Sequence, residues 1–413
     1  MLKDTVGIIV GGGPAPGING VISAATIEAV NQGKKVVGII GGFKTLFEGN
    51  KDSIISLTID DVSRLHATGG SILRTSRDAP ENARHKFKTL MSTLKQIGIK
   101  YLVTIGGEGT LYMASWIEKE GRGSINVVHT PKTIDNDIPL PGGISTFGYQ
   151  TARHVGVELV TNIIEDARTV GRWYFITTMG RHTGHLALGI GKASGSTISL
   201  IPEEFTEEKV SIQKAADILT GSIIKRLSMG KDYGVAVIAE GVAEKFDPEE
   251  LSKCENVEKD EVTGKTRLSD IQLGRVLKDL VRKNLQDMDI SAPIVSMNIG
   301  YELRAANPIP YDIEYTRNLG YGAIRFLLKG GTGSMIVVYE GRIIPVSFTE
   351  MLDINGASKI RKVNIHSEIY EVARKYMIRI EKEDFEGDRL RRIASAANLK
   401  PEEFKSKFGY LLK

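Results

Sequence analysis

Short runs of β-branched and other apolar residues alternate along the chain with glycine clusters. Each cluster is followed by a segment whose apolar positions recur every three or four residues. This is the punctuation of strand, loop and helix repeated many times over. Residues 6–10 predict a strand, 11–17 a loop, and 18–30 a helix with Ile18, Val21, Ile22, Ala25 and Ala29 on one face, closed by Gly33. Residues 35–40, 101–105 and 125–129 are nearly continuous apolar runs, as expected of parallel strands covered on both faces. After residues 139–143 the pattern restarts with a helix over about 149–167, strands at 173–177 and 197–201 around a helix at 185–193, and a strand at 234–238 leading into Glu240. A second sheet follows from that restart. The polar run 255–267, with Gly264, predicts a surface excursion, and from Asp353 onward the chain is charged and mostly helical in pattern. The fold class expected is α/β: two Rossmann-like three-layer α/β/α domains with mostly parallel sheets, plus a C-terminal helical extension.

At 413 residues, the chain is long enough for two domains or one elaborated one. Hydrophobic residues make up 41% and charged residues 25%, the balance of a globular protein able to bury more than one core. The 54 Lys and Arg against 50 Asp and Glu leave a charge of +4, too slight an excess to point to nucleic acid. The single Cys254 excludes an intramolecular disulfide and a CxxC metal site. No apolar stretch approaches the roughly 18 residues of a membrane span, so the expectation is a soluble, cytoplasmic protein.

Three glycine-bearing or carboxylate-bearing loops carry the candidate chemistry. In open α/β sheets, ligands collect where loops leave the carboxyl ends of strands and helix N-termini present unpaired N–H groups. The first loop, Gly11-Gly12-Gly13-Pro14-Ala15-Pro16-Gly17-Ile18-Asn19, fails the dinucleotide fingerprint at Pro16. It also fails the P-loop, since Ile18-Asn19 stand where Lys and Ser or Thr belong. The second, Gly106-Gly107-Glu108-Gly109-Thr110, lets a backbone approach a polyphosphate and sets a carboxylate where it can hold a magnesium ion. A helix is expected to begin near Thr110, and the alternative reading makes Thr110 a simple cap.

The third element, Pro131-Lys132-Thr133-Ile134-Asp135-Asn136-Asp137, sets two carboxylates, an amide and a lysine in one turn at a strand's end. Magnesium-dependent phosphoryl transfer needs a base, a metal-holding carboxylate and cations for the moving phosphate, and this turn offers all three. An Asx-turn accounts for one of these residues and leaves the others without a purpose.

These loops occur in a fixed order with GGSILRTSR (69–77), MGRHTGHLA (179–187), Glu240 and GYELRAANPIPYD (300–312). The series, spanning about residues 6–325, resembles the 6-phosphofructokinases, with wording similar to the longer bacterial branch that includes pyrophosphate-dependent members. The resemblance implies a donor-binding domain from residues 1–141 with about 303–353, a fructose-6-phosphate-binding domain at about 142–302, and a helical extension at about 354–413. It further implies Asp135 as the base for the sugar's 1-hydroxyl, Thr133 and Arg181 on the transferring phosphate, and Glu108 as the Mg2+ carboxylate. Gly13, Arg77, Gly107, Gly109, Thr110 and Lys132 become donor-phosphate contacts. Asp137, Arg172, Met179, Gly180, Glu240, Tyr301 and Arg304 join Thr133, Asp135 and Arg181 as substrate contacts, with Arg172 and Arg304 on the 6-phosphate. His182 and His185 receive no role. Ser23, Ile27 and Thr197 stand where regulated relatives carry the residues of an anion effector site, so that site is expected to be absent.

The donor is the open question. Pyrophosphate-dependent relatives carry an acid directly after the metal carboxylate and a lysine in the PKTIDND turn; this chain has Lys132 but Gly109. The open space at Gly109 favours ATP, giving fructose 1,6-bisphosphate, with pyrophosphate as the alternative donor and another phosphosugar such as sedoheptulose 7-phosphate as an alternative acceptor. A homodimer or homotetramer is expected. A dinucleotide-dependent dehydrogenase is disfavoured by Pro16, and a lipid or NAD kinase leaves Met179–Arg181 and Gly300–Arg304 unexplained.

Overall fold

A computed structural model of the chain describes residues 4–76, 86–252, 272–353 and 358–412. Arg77, Cys254 and the 255–267 run lie outside the described residues. The chain divides into two compact units, Met1–Ala152 with Tyr301–Arg361, and Arg153–Gly300 with Lys362–Lys413.

The first unit opens with β1 (Thr5–Val10), β2 (Lys35–Ile39), β3 (Ile54–Ser56), β4 (Ile99–Gly106), β5 (Asn126–Thr133) and β6 (Phe147–Gly148). In space these run β5-β4-β1-β2-β3, with β6 against the end of β5. The pairs among β5, β4, β1 and β2 are parallel, and β3 is antiparallel to β2. Residues of β1 are buried on both faces: Val6, Ile8 and Val10 join one core with Ile18, Val21, Val103 and Leu319, whereas Ile9 joins another with Leu102, Leu90 and Leu111. Two cores on opposite faces of one sheet make three layers. On the first face, helices Ile18–Asn31 and Pro310–Leu328 cross closely. Their approach needs Gly20 and Gly320, since a Cβ on Gly20 would lie 2.2 Å from Thr316 Oγ1 and one on Gly320 2.5 Å from the Val21 oxygen.

The second unit holds β7 (Trp173–Thr178), β8 (Ile198–Leu200), β9 (Gly234–Ala239) and β10 (Ile294–Ile299), ordered β10-β7-β9-β8 and parallel throughout. Residues 362–412 pack into this unit. Tyr410 donates to Asp217 at 2.6 Å, and Lys225 pairs with Asp384 at 2.6 Å. Beneath them Arg379 pairs with Glu204 at 2.8 Å, both side chains nearly buried. Between β10 and residue 362 the chain returns to the first sheet as β11 (Ser334–Tyr339), parallel to β5, and β12 (Arg342–Ser347), antiparallel to β11.

Two local differences from expectation bear on the site. The strand predicted over 125–129 continues as β5 to Thr133 despite Pro131. β11 pairs with β5 only at Val128 and His129, and β6 only at Lys132 and Thr133. The missing N–H of Pro131 therefore falls between the two pairings and costs little. The helix expected near Thr110 is Glu108–Gly121, two residues longer at its start, because Gly109 sits in a first turn whose N–H groups need no intrahelical partner.

Candidate active site

Three adjacent parallel strands of the first unit, β5, β4 and β1, end at the same edge of the sheet. Their carboxyl ends release Lys132 and Thr133, Gly106 and Gly107, and the loop from Gly11. The loops are pinned from below: Gly11 N–H donates to the Ile105 oxygen at 2.9 Å and Gly12 N–H to the Ser76 oxygen at 2.9 Å, while Thr75 Oγ1 donates to the Gly12 oxygen at 2.6 Å. Glycine is required here by proximity. A Cβ on Gly11 would fall 2.3 Å from Thr110 Oγ1, and one on Gly106 only 2.2 Å from the same atom. Thr110 is therefore a buried strut under both glycine loops and not an N-cap.

Lys132 is 4% exposed, and its ammonium donates to the main-chain oxygen of Gly13. The backbone of Gly107 lies against the Lys132 carbonyl, where a Cβ would come within 3.4 Å. Helix Glu108–Gly121 starts at Gly107 with no side-chain cap, so its N-terminal N–H groups and the positive end of its dipole face the loop edge. Glu108 and Gly109 are exposed in that first turn.

Beyond Thr133 the chain alternates: Ile134, Asn136 and Ile138 are buried, whereas Thr133, Asp135 and Asp137 are half-buried. Asp135 N–H donates to Thr133 Oγ1 at 3.0 Å, and Asn136 takes a left-handed backbone at φ 58°. Thus Gly13, Gly107, Glu108, Gly109, Thr110, Lys132, Thr133, Asp135 and Asp137 stand on three neighbouring strand ends or the loops leaving them. Under them, fully buried His129 shares a 2.8 Å hydrogen bond with Thr104 Oγ1. Burial drives its pKa down to about 3, against a weaker upward pull from the Gly106 backbone.

Among the described residues no group of three or more His, Cys, Asp or Glu side chains is placed to cage a metal. A protein-caged ion does not fit. Mg2+ does, because it commonly takes one or two carboxylates and completes its shell with phosphates and water. The exposed oxygen donor Glu108, beside an uncapped helix start, suits that arrangement.

In the second unit, β7, β9 and β10 likewise end together. Met179, Gly180 and Arg181 follow β7, Glu240 follows β9, and Gly300 follows β10. Gly180, at φ 128°, donates its N–H to Glu240 Oε1 at 3.3 Å and accepts from Gly241 N–H at 3.1 Å. A Cβ on Gly241 would meet the Arg181 oxygen at 2.2 Å, and one on Gly300 would meet Met179 Cγ at 2.8 Å. Glu244, which carries no signal in the sequence, accepts from Arg181 Nε at 2.8 Å and lies 3.3 Å from His182 Nδ1. Burial raises the Glu244 carboxyl, but the hydrogen bonds from His182 and Arg181 outweigh it and hold it below the ordinary value.

Arg172 precedes β7, whereas Met179 follows it, so they lie at opposite edges of the sheet, separated by six strand residues or roughly 20 Å. Arg172 there adjoins Tyr174, whose hydroxyl donates to Asp166. Within one chain it does not share a ligand with Met179. Tyr301 and Arg304 occupy the short helix Tyr301–Ala305 of the first unit; Tyr301 is 71% exposed and the Arg304 guanidinium stacks 4.6 Å from its ring centre. Asp312, part of the quoted GYELRAANPIPYD run but without an expected role, is fully buried and accepts from Gly148 N–H at 3.0 Å and from Thr151 N–H and Oγ1 at 2.8 and 2.6 Å. It caps the helix Tyr149–Val170, and burial raises its carboxyl despite those bonds.

Residues 5–327 match the family model described as phosphofructokinase. A pyrophosphate–fructose 6-phosphate 1-phosphotransferase of Thermotoga maritima is 52% identical over 416 residues, covering 99% of each chain. A protein of the same description from Naegleria fowleri is 44% identical, over 99% of this chain and 96% of its own. Among solved structures, a pyrophosphate-dependent phosphofructokinase from Marinobacter aquaeolei superposes with a TM-score of 0.69 at 17% identity, covering 96% of this chain and 92% of that one, a likeness of fold. No helix among the described residues is long and apolar enough to cross a membrane.

Proposed function

The chain belongs to the phosphofructokinase family, and on that premise we propose that it transfers a phosphoryl group from pyrophosphate to the 1-hydroxyl of fructose 6-phosphate. The observation that carries the choice of donor is the buried ammonium of Lys132, held on the Gly13 carbonyl where two glycine loops meet. A desolvated cation at this point favours a compact, highly charged donor. The full-length relatives named as pyrophosphate-dependent weigh the same way, and the expectation of ATP as the principal donor gives way to the alternative.

In this reading Asp135 accepts the proton of the 1-hydroxyl as that oxygen attacks the terminal phosphorus. The new O–P bond forms as the bridging P–O bond breaks, and orthophosphate leaves. Thr133 Oγ1 receives the Asp135 N–H on a lone pair, which leaves its own proton to donate to a phosphate oxygen. The N–H groups at the start of helix Glu108–Gly121 and the Lys132 ammonium hold the donor phosphates. Glu108 would hold Mg2+, which supplies charge neutralisation to the polyphosphate when bound. Arg181, Met179, Gly180 and Glu240 are the second unit's candidates for the sugar phosphate, and Asp137, Tyr301 and Arg304 the first unit's. Because Arg172 lies at the far edge of β7, it serves a sugar site only in a second copy of the chain, in keeping with a homo-oligomer in the cytoplasm.

One observation favours ATP as a second donor: Gly109 is exposed and adds no side chain to the first helical turn. Side-by-side assay of pyrophosphate and ATP with fructose 6-phosphate and Mg2+ decides between them. A kcat/KM higher with ATP than with pyrophosphate would overturn the donor assignment, and absence of turnover with both would overturn the function.

A further inference from the structure

We infer that Arg361, far from the glycine loops in sequence, is a positioning residue for the turn that carries Asp135; the inference rests on the phosphoryl-transfer reading of that turn. Arg361 belongs to the first unit, as does the turn. Its main-chain N–H donates to the Asp137 oxygen at 2.6 Å. Its guanidinium reaches three further acceptors: Nε donates to the Asn136 main-chain oxygen at 3.0 Å, Nη1 to the Ile144 oxygen at 2.8 Å, and Nη2 to Asn136 Oδ1. Asn136 Oδ1 also accepts from Thr146 N–H at 3.1 Å.

The consequence is mechanical. Asn136 adopts φ 58°, a conformation that costs a non-glycine residue on the order of 1 kcal/mol and persists only where its surroundings insist on it. Arg361 grips both oxygens of that one residue. Asp135 and Asp137 flank it, so the left-handed kink at Asn136 sets the directions in which the two carboxylates leave the backbone. A planar fork with fixed N–H directions can satisfy three acceptors at once, whereas a lysine ammonium on a flexible stem cannot hold the same geometry. None of the guanidinium's three described acceptors is a carboxylate, so this arginine spends its hydrogen bonds on backbone shape and one amide.

The test compares Arg361→Ala and Arg361→Lys with wild type in the full-length protein. A misplacement of about 1 Å at a catalytic group costs up to roughly 100-fold. The expected result is a 10- to 100-fold fall in kcat for Arg361→Ala, with KM for fructose 6-phosphate within about twofold of wild type. Added guanidinium at millimolar concentration should restore part of the loss in Arg361→Ala and leave wild type unaffected. Arg361→Lys should remain well below wild type and insensitive to guanidinium; it also stands in should Arg361→Ala fail to fold. Asn136→Gly, which keeps the left-handed backbone but removes the gripped amide, should lower kcat and, combined with Arg361→Ala, add little further loss. Wild-type kcat in both arginine variants would overturn the inference, as would losses in KM alone or full additivity with Asn136→Gly. Failure of the wild-type protein to turn over any phosphoryl donor would instead overturn the functional reading itself.

Discussion

The ammonium of Lys132 donates to the carbonyl oxygen of Gly13, so the end of β5 and the loop after β1 are joined through a cation that solvent barely reaches. On the proposed reading, that cation meets the phosphates of the donor. Lys132→Met is expected to lower kcat/KM for pyrophosphate by about two orders of magnitude while leaving the thermal shift induced by fructose 6-phosphate within experimental error of wild type. Retention of pyrophosphate turnover would reduce Lys132 to a structural tie.

Asp135 stands half-buried on a backbone held by Thr133. Replacing its carboxylate by an amide of the same shape removes the proposed proton acceptor while keeping the side chain's size. Asp135→Asn should lower kcat by about 100- to 10,000-fold with substrate binding preserved, as read from steady-state kinetics alongside calorimetric titration of fructose 6-phosphate. Full turnover in this variant would remove Asp135 from the chemistry.

Gly109 offers the cleanest handle on donor choice, since it is exposed in the first turn of its helix. An aspartate there brings a negative charge toward a bulky nucleotide but leaves a two-phosphate donor shorter than the obstruction. The ratio of ATP to pyrophosphate turnover should therefore fall at least tenfold in Gly109→Asp, about 1.4 kcal/mol of discrimination. An unchanged ratio would show that the space beside Gly109 does not select the donor.

Gly11 and Thr110 are a pair whose sizes are set against each other. Gly11→Ala forces a methyl group into the Thr110 hydroxyl and should cost about 1–3 kcal/mol, seen as a lowered urea midpoint. Thr110→Ala in the same chain vacates the hydroxyl and should recover part of that loss. Additive penalties would mean that the strain lies elsewhere.

His129 bears on acid stability. Its folded value of about 3 lies below the ordinary 6.5 because burial penalises the charged ring, so the unfolded chain takes up a proton first as the pH falls. The contribution to stability is present above about pH 6.5 and is lost progressively down to about 3, at up to about 1.4 kcal/mol per pH unit. His129→Gln should flatten the pH dependence of the urea midpoint between pH 6.5 and 4. An identical slope in both proteins would place the acid sensitivity in other groups.

Much of this architecture is legible before any coordinates. A parallel strand buried on both faces, such as β1 or β9, writes itself as an unbroken apolar run, and the loop after it must admit close neighbours, so glycine follows. Boundaries are less legible. Pro131 reads as a stop, yet it lies in a gap between two strand pairings. Gly109 reads as a loop residue, yet it sits in a helical first turn. Arg361 leaves no trace at all, because most of its acceptors are main-chain oxygens, which every residue possesses. Glu244 is silent for a related reason: the 3₁₀ turn that points it at Arg181 follows no periodic pattern. Arg172 is misleading for one chain alone, since the resemblance implies a role but not which end of β7 bears it.

The proposed donor edge draws on residues near 11, 106 and 132, brought side by side only because β1, β4 and β5 are neighbours in the sheet. A nascent chain must wait until all three strands have paired before any of these loops acquires its shape, and parallel pairing of distant segments is slow. On the proposed assignment, affinity for the donor is thus a late product of folding: a ribosome-bound or truncated chain that stops short of β5 gains no fraction of it.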